Sequence, residues 1–157
     1  MKTLTKRILC LALSLILVCG LAACDGAATV KKAERLPLND RPDAPDAIPE
    51  GLDIDWNARY TFAELEAQLS RMAEQYPAIT ELYSIGTTWQ ERSLWCLEIT
   101  NKSIPAEEKT GVGIFANIHG GERESASSAM YTAWWLTLCS DDAYVKGLLD
   151  NYTIYVI

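Results

Sequence analysis

A predicted strand, helix and second strand follow one another in the last part of the chain, and this order constrains the fold more than any other feature. The nearly continuous apolar run Val112–Ile118 predicts a strand covered on both faces. Residues 122–139 carry apolar side chains at helical spacing, and after a short turn Tyr152–Ile157 predicts another strand. Strands joined through a helix form a right-handed parallel crossover, so we expect an α/β protein.

The residues before this unit extend the prediction. Thr61–Glu64 matches a capping box, and apolar residues at intervals of three and four from Phe62 to Tyr76 predict a helix ended by Pro77. Ile79–Ile85 and Leu94–Thr100 predict two strands joined by a turn. The predicted fold is a partial three-layer sandwich, with a mixed, largely parallel sheet covered by helices.

The final strand leads us to expect a longer protein. Tyr152–Ile157 is followed by no turn or cap, and a covered strand needs further elements to cover it. We therefore expect this chain to be the front part of a protein, truncated after about half of its domain.

An export signal is predicted at the N-terminus. Lys2, Lys6 and Arg7 precede the apolar run Ile8–Val18, and small residues follow it. The segment Leu21-Ala22-Ala23-Cys24 resembles a bacterial lipoprotein cleavage box, which implies a lipid on Cys24; a plain secretory site with an incidental cysteine is the alternative. A retained membrane-spanning anchor is disfavoured because such a helix needs about 20 apolar residues.

Three segments are therefore predicted. Residues 1–23 are a lipoprotein signal peptide, and residues 24–55 are a disordered tether that contains four of the six prolines. Residues 56–157 form the N-terminal part of a folded α/β domain. We expect export and lipid anchoring on the outer face of the cytoplasmic membrane.

The charge balance excludes one class of partner. The sequence has 14 Lys and Arg against 21 Asp and Glu and a net charge of −7. Nucleic-acid binding depends on clustered basic residues, so no nucleic-acid partner is expected. Export would permit a disulfide between Cys96 and Cys139, but both lie in apolar segments, where buried free thiols are more common.

The segment His119-Gly120-Gly121-Glu122 carries the candidate chemistry. It follows a predicted strand, and functional residues collect at the carboxyl ends of parallel strands. An imidazole nitrogen and a carboxylate oxygen both suit Zn²⁺. Two glycines between them would let the backbone turn so that the side chains converge. The spacing alone is a weak signal, because a lone histidine at a strand end is more often structural.

The order of several features resembles the N-terminal half of the zinc carboxypeptidase family related to pancreatic carboxypeptidase A. The matching features are Tyr60-Thr61-Phe62-Ala63-Glu64-Leu65, Tyr76-Pro77-Ala78-Ile79, Ser84-Ile85-Gly86-Thr87-Thr88, Glu91-Arg92-Ser93-Leu94, Gly113 to Glu124 and Tyr152 to Ile157. Several features in one order are more specific than the four-residue motif.

The resemblance implies that His119 and Glu122 are the first two zinc ligands. A catalytic zinc site needs three protein ligands, and His119 is the one histidine in the sequence. The third ligand, the glutamate base and the substrate-binding arginines are therefore expected beyond Ile157, so no catalytic residue is assigned here. Gly121 stands where some members have a substrate-binding arginine, so that contact is not carried over.

The implied function is zinc-dependent carboxypeptidase hydrolysis of peptides or cell-wall stem peptides outside the cytoplasm. Zinc would polarise the scissile carbonyl and lower the pKa of its water. We expect residues 1–157 alone to be inactive. Two alternatives stay open: a zinc amidase or deacylase on the same scaffold, and a non-catalytic lipoprotein that uses it as a binding module or remnant.

Overall fold

The computed structural model describes residues 41–43, 55 and 59–157. The predicted signal segment, Cys24 and most of the predicted tether lie outside this part. The described elements, in chain order, are α1 (Phe62–Gln75), β1 (Thr80–Thr87), β2 (Ser93–Ile99), a 3-10 turn (Ala106–Glu108), β3 (Thr110–Ile114), α2 (Arg123–Leu138), α3 (Ala143–Asn151) and β4 (Tyr152–Val156). The predicted α/β class is confirmed.

Helix α1 begins where its capping box predicts. The Thr61 hydroxyl accepts a 3.3 Å hydrogen bond from the Glu64 N–H, and the Glu64 carboxylate accepts a 2.8 Å hydrogen bond from the Thr61 N–H. Two backbone N–H groups at the helix start, those of Thr61 and Glu64, thus receive side-chain acceptors. Leu69 and Met72 lie on the buried face of the helix, as their spacing predicts.

The four strands form one mixed sheet in the order β1-β2-β4-β3. Strand β2 pairs antiparallel with both β1 and β4, and β3 pairs parallel with β4. The chain therefore leaves β3, passes through α2 and α3 and returns beside β3 in the same direction, as predicted. One of the three pairings in the described part is parallel.

The core lies on one face of the sheet. Leu97 and Ile99 of β2 are opposite Val156 and Ile154 of β4, and all four side chains are buried. Side chains alternate between faces along a strand, so these four share the face that packs against the helices. Buried residues from the three helices complete this core: Leu69, Met72, Ala129, Met130, Ala133, Trp134, Leu136, Val145 and Leu149.

Strand β3 is shorter and more exposed than predicted. It ends at Ile114 instead of Ile118, and within the described sheet it is an edge strand with β4 on one side. Val112 is 37% exposed, Phe115 63% and Ile118 73%. The apolar run predicted a strand covered on both faces, but the local sequence does not report which position in the sheet a strand occupies.

Helix α3 replaces the short turn predicted between α2 and β4. Its N-cap is Asp142, whose carboxylate accepts a 2.7 Å hydrogen bond from the Tyr144 N–H. Val145 and Leu149 are buried on its inner face. The four-residue spacing of these two side chains behind a capping aspartate is the signal that could have predicted the helix.

Cys96 and Cys139 are both buried free thiols, so the disulfide that export would permit is not formed in the structure. Among the described residues, none of the helices has the length and apolar character needed to cross a membrane.

Three described residues of the predicted tether contact helix α2 or its C-cap residue. The Trp135 indole N–H donates a 3.1 Å hydrogen bond to the Pro42 carbonyl, and the Arg41 guanidinium lies 5.8 Å from the centre of the Trp135 ring. The Cys139 thiol lies 3.7 Å from the Asp43 carbonyl oxygen. This short stretch of backbone is therefore held against the helix by an aromatic side chain.

Candidate metal centre

The candidate site lies on the loop between β3 and α2. His119 is in this loop, and Glu122 occupies the N-cap position of α2. The pair therefore follows the carboxyl end of a strand that has a parallel neighbour, which is where the sequence predicted it. The helix dipole of α2 presents its positive end to the Glu122 carboxylate.

The two side chains contact each other. The His119 Nδ1 atom lies 2.7 Å from the Glu122 Oε1 atom, and the other carboxylate oxygen accepts a long, 3.4 Å hydrogen bond from the His119 N–H. The Glu122 N–H donates a 3.0 Å hydrogen bond to the His119 carbonyl and closes a tight turn. The structure thus brings both predicted ligands together, while their binding of a metal stays a prediction.

The left-handed backbone conformation in this loop is adopted by Asn117 and not by the glycines. Asn117 has φ = 52°, in the left-handed region that asparagine tolerates better than most residues. Gly120 and Gly121 have no positive φ, and a Cβ atom added to either would have no heavy atom within 4 Å. The prediction that glycine freedom lets the ligands converge is therefore wrong, because the turn between them needs only ordinary backbone angles.

Ser125 is a residue of the site that sequence reasoning missed. Its hydroxyl accepts a 2.8 Å hydrogen bond from the Asn117 N–H and donates a 2.6 Å hydrogen bond to the Glu122 carbonyl. Serine near a helix start commonly bonds to nearby backbone, so its position three residues after Glu122 was the available signal.

An exposed ion pair lies beside the motif. The Arg59 guanidinium is 3.2 Å from the Glu124 carboxylate, and these side chains are 65% and 76% exposed. The pair connects the residues before α1 to the first turn of α2. Glu124 thus has a cationic partner of its own.

The donor atoms of His119 and Glu122 fit zinc as two ligands of a larger set. Protein nitrogen and oxygen ligands lie about 2.0–2.2 Å from Zn²⁺, so two of them in a tetrahedron are about 3.4 Å apart. The observed 2.7 Å separation would have to widen slightly, and the side chains are 80% and 49% exposed, which leaves room for it. Within residues 41–43, 55 and 59–157, no group of three or more His, Cys, Asp or Glu side chains could hold a metal.

Comparison with known proteins identifies one family. The pattern of the zinc carboxypeptidase family matches residues 65–157, which is more than half of the chain. Zinc carboxypeptidase A 1 of Drosophila melanogaster is 31% identical over 104 residues, covering 65% of this chain and 24% of that protein. Carboxypeptidase E of Caenorhabditis elegans is 30% identical over 112 residues, covering 67% and 23%.

Solved structures share the fold. The crystal structure of thrombin activatable fibrinolysis inhibitor superposes with a TM-score of 0.59 at 21% identity, covering 65% of this chain and 25% of that one. Carboxypeptidase A from Helicoverpa armigera gives a TM-score of 0.58 at 18% identity, covering 66% and 25%. The chain thus spans about a quarter of the length of these proteins. By the match over residues 65–157, the chain belongs to the zinc carboxypeptidase family.

Proposed function

We propose that the protein is a zinc-dependent metallocarboxypeptidase that removes the C-terminal residue from peptides outside the cytoplasm. The observation that carries the proposal is the 2.7 Å approach of His119 Nδ1 to Glu122 Oε1 at a strand end, in a chain of the zinc carboxypeptidase family. Nitrogen and carboxylate donors in this arrangement suit the borderline-soft Zn²⁺ ion.

His119 and Glu122 would hold the metal from one side. The exposure of both side chains leaves the opposite side open to a substrate. Glu122 is the N-cap of α2, so its carboxylate lies at the positive end of the helix dipole, where it would bind the cation. Bound zinc supplies Lewis-acid activation of a carbonyl group and of water.

The proposal requires more than these two side chains. A catalytic zinc site uses three protein ligands, and a general base must take a proton from the attacking water. The decisive experiment therefore uses the protein expressed from its complete reading frame.

The experiment measures zinc content and hydrolysis in the same preparations. The substrates are an N-blocked dipeptide with a free C-terminal carboxylate, its C-terminally amidated counterpart, a cell-wall stem peptide and an N-acetyl amino acid. We expect about one zinc ion per chain and release of the C-terminal residue only where the carboxylate is free. Cleavage of the N-acetyl amino acid alone would instead identify a deacylase.

Variants assign the ligands. His119→Ala and Glu122→Gln should lose bound zinc and hydrolysis together. Glu124→Gln is the matched control, because it removes an exposed carboxylate two residues away that pairs with Arg59, and it should keep both. Full zinc content in His119→Ala would contradict the ligand assignment, and zinc binding without hydrolysis of any substrate would favour a binding module.

The proposal also places the protein on the outer face of the cytoplasmic membrane. Its support is the sequence Leu21-Ala22-Ala23-Cys24 behind a charged and then apolar segment. Two or more acyl chains would give stable anchoring, since each buried CH₂ contributes about 0.8 kcal/mol. Labelled fatty acid should enter the wild-type protein and not Cys24→Ser, while Cys10→Ser should still be labelled. Equal labelling of Cys24→Ser would contradict lipidation at this residue.

A further inference from the structure

The Ser125 hydroxyl joins the two ends of the loop that carries the candidate ligands. Its oxygen accepts the Asn117 N–H at 2.8 Å, and its proton is donated to the Glu122 carbonyl at 2.6 Å. Asn117 lies two residues before His119, and Glu122 is the second ligand itself. One side chain therefore closes residues 117–122 across the base of the loop.

Within the part of the chain that the structure describes, packing contributes little to the position of this loop. The side chains of His119 and Glu122 are 80% and 49% exposed, and Ile118 between Asn117 and His119 is 73% exposed. Asn117 is also held in the left-handed region, which most residues avoid. The loop conformation therefore depends on a few hydrogen bonds, of which Ser125 makes two.

We propose that Ser125 is a positioning residue for the metal centre: its two hydrogen bonds hold the loop in the conformation that brings His119 Nδ1 and Glu122 Oε1 together, so that a slight widening of their separation lets both bind zinc. The inference rests on the proposed function. Binding groups held in place before the metal arrives lose less conformational freedom on binding. Replacing a residue that hydrogen-bonds to a metal ligand, without binding the metal itself, typically changes metal affinity or activity about 10- to 100-fold.

The test compares three serine variants of the protein expressed from its complete reading frame. Ser125→Ala removes both hydrogen bonds, and Ser125→Thr keeps a hydroxyl. Ser128→Ala is the matched control: the Ser128 hydroxyl donates a 2.9 Å hydrogen bond to the Glu124 carbonyl in the same helix and does not reach the loop. Zinc affinity is measured by competition with a chelator, and the visible spectrum of the Co²⁺-substituted protein reports ligand geometry.

We expect Ser125→Ala to bind zinc about 10- to 100-fold more weakly and to show an altered Co²⁺ spectrum. Ser125→Thr should restore most of the affinity, and Ser128→Ala should match the wild type. Amide hydrogen exchange gives a readout without metal, because the Asn117 N–H should exchange faster only when Ser125 is replaced by Ala. If the alanine variant does not fold, Ser125→Cys provides the same comparison with a poor hydrogen-bonding group.

The outcomes separate this inference from the proposed function. The positioning role would be overturned if Ser125→Ala had the zinc affinity, the Co²⁺ spectrum and the Asn117 N–H exchange rate of the wild type. In that case, loss of zinc in His119→Ala would still support the metal site. Weaker zinc binding that Ser125→Thr did not restore would also overturn it. Absence of zinc binding by the wild-type protein would overturn both proposals.

Discussion

The Lys109 ammonium donates a 2.9 Å hydrogen bond to the carbonyl oxygen of Leu149, in the last turn of α3. The same ammonium donates to the Thr100 hydroxyl at 2.6 Å and to the Asn101 carbonyl at 2.5 Å. One cation thus joins the end of β2, the loop after it and the negative end of a helix dipole. Burial lowers the pKa of Lys109, and Asp150 and Glu98 oppose that shift.

Replacing Lys109 should destabilise the domain. Lys109→Met keeps most of the aliphatic side chain and leaves three partly buried acceptors without their charged donor, so we expect a loss of about 2 kcal/mol. Urea denaturation gives the free energy of unfolding. Lys146→Met, at an exposed position of α3, is the control and should change it by less than about 0.5 kcal/mol. An equal, small effect of both variants would show that Lys109 is not a structural cation.

Alkaline pH should destabilise the protein through Cys96. Burial raises the pKa of this thiol above its ordinary value of 9.0, and Glu98 adds to the rise while the Tyr83 hydrogen bond opposes it. The unfolded thiol loses its proton near pH 9, whereas the folded thiol keeps it. The contribution to stability is therefore fully present below pH 9 and is lost as the pH rises through the folded pKa.

Unfolding free energies at pH 8 and pH 10 test this sign. They should fall more steeply with pH in the wild type than in Cys96→Ala. Thr153→Val changes a buried residue of β4 without removing an ionisable group, so its pH slope should equal that of the wild type. A Cys96→Ala slope as steep as the wild-type slope would show that this thiol is not the source.

Glycine at position 91 should stabilise the β1–β2 hairpin. Glu91 has φ = 60°, which costs an ordinary residue about 1–2 kcal/mol. Glycine adopts this angle without strain but loses more backbone freedom on folding, so we expect Glu91→Gly to stabilise the protein by about 0.5–1 kcal/mol. The neighbouring Gln90→Gly has no such strain to relieve and should destabilise it. The shift in thermal midpoint distinguishes the two signs.

Residues 24–157 expressed alone should aggregate through the edge of the sheet. Strand β3 has one partner in the described sheet, and Val112, Phe115 and Ile118 are exposed in or beside it. An unpaired apolar edge is a template for pairing with another chain. Val112→Lys should therefore reduce the aggregated fraction in sedimentation. Trp89→Lys removes a 90% exposed side chain from a turn and should not reduce it.

A soluble wild-type monomer of residues 24–157 with a cooperative melt would contradict this expectation. So would an equal gain in solubility from the Val112 and Trp89 variants, because it would point to exposed apolar surface in general instead of to a strand edge.

Features set by local chemistry were predictable. The capping box at Thr61 and Glu64 needs groups three residues apart, and the burial of Leu69 and Met72 follows from helical periodicity. The strand–helix–strand order placed the candidate metal ligands at the end of β3, because the apolar patterns that predict this order are also local. Helix α3 escaped prediction although its signals were local, because a nine-residue helix with an internal glycine has a weak pattern.

The sequence by itself determined the class of fold, the family resemblance and the position of His119 and Glu122, because periodicity, capping and motif spacing are encoded within a few neighbouring residues. Only the tertiary structure decided that β3 lies at an edge of the described sheet, that Asn117 and not a glycine adopts the left-handed conformation, and that the Ser125 hydroxyl reaches the Asn117 N–H across the loop. These features depend on contacts that form after the elements pack, and the neighbours of a residue along the chain do not specify them.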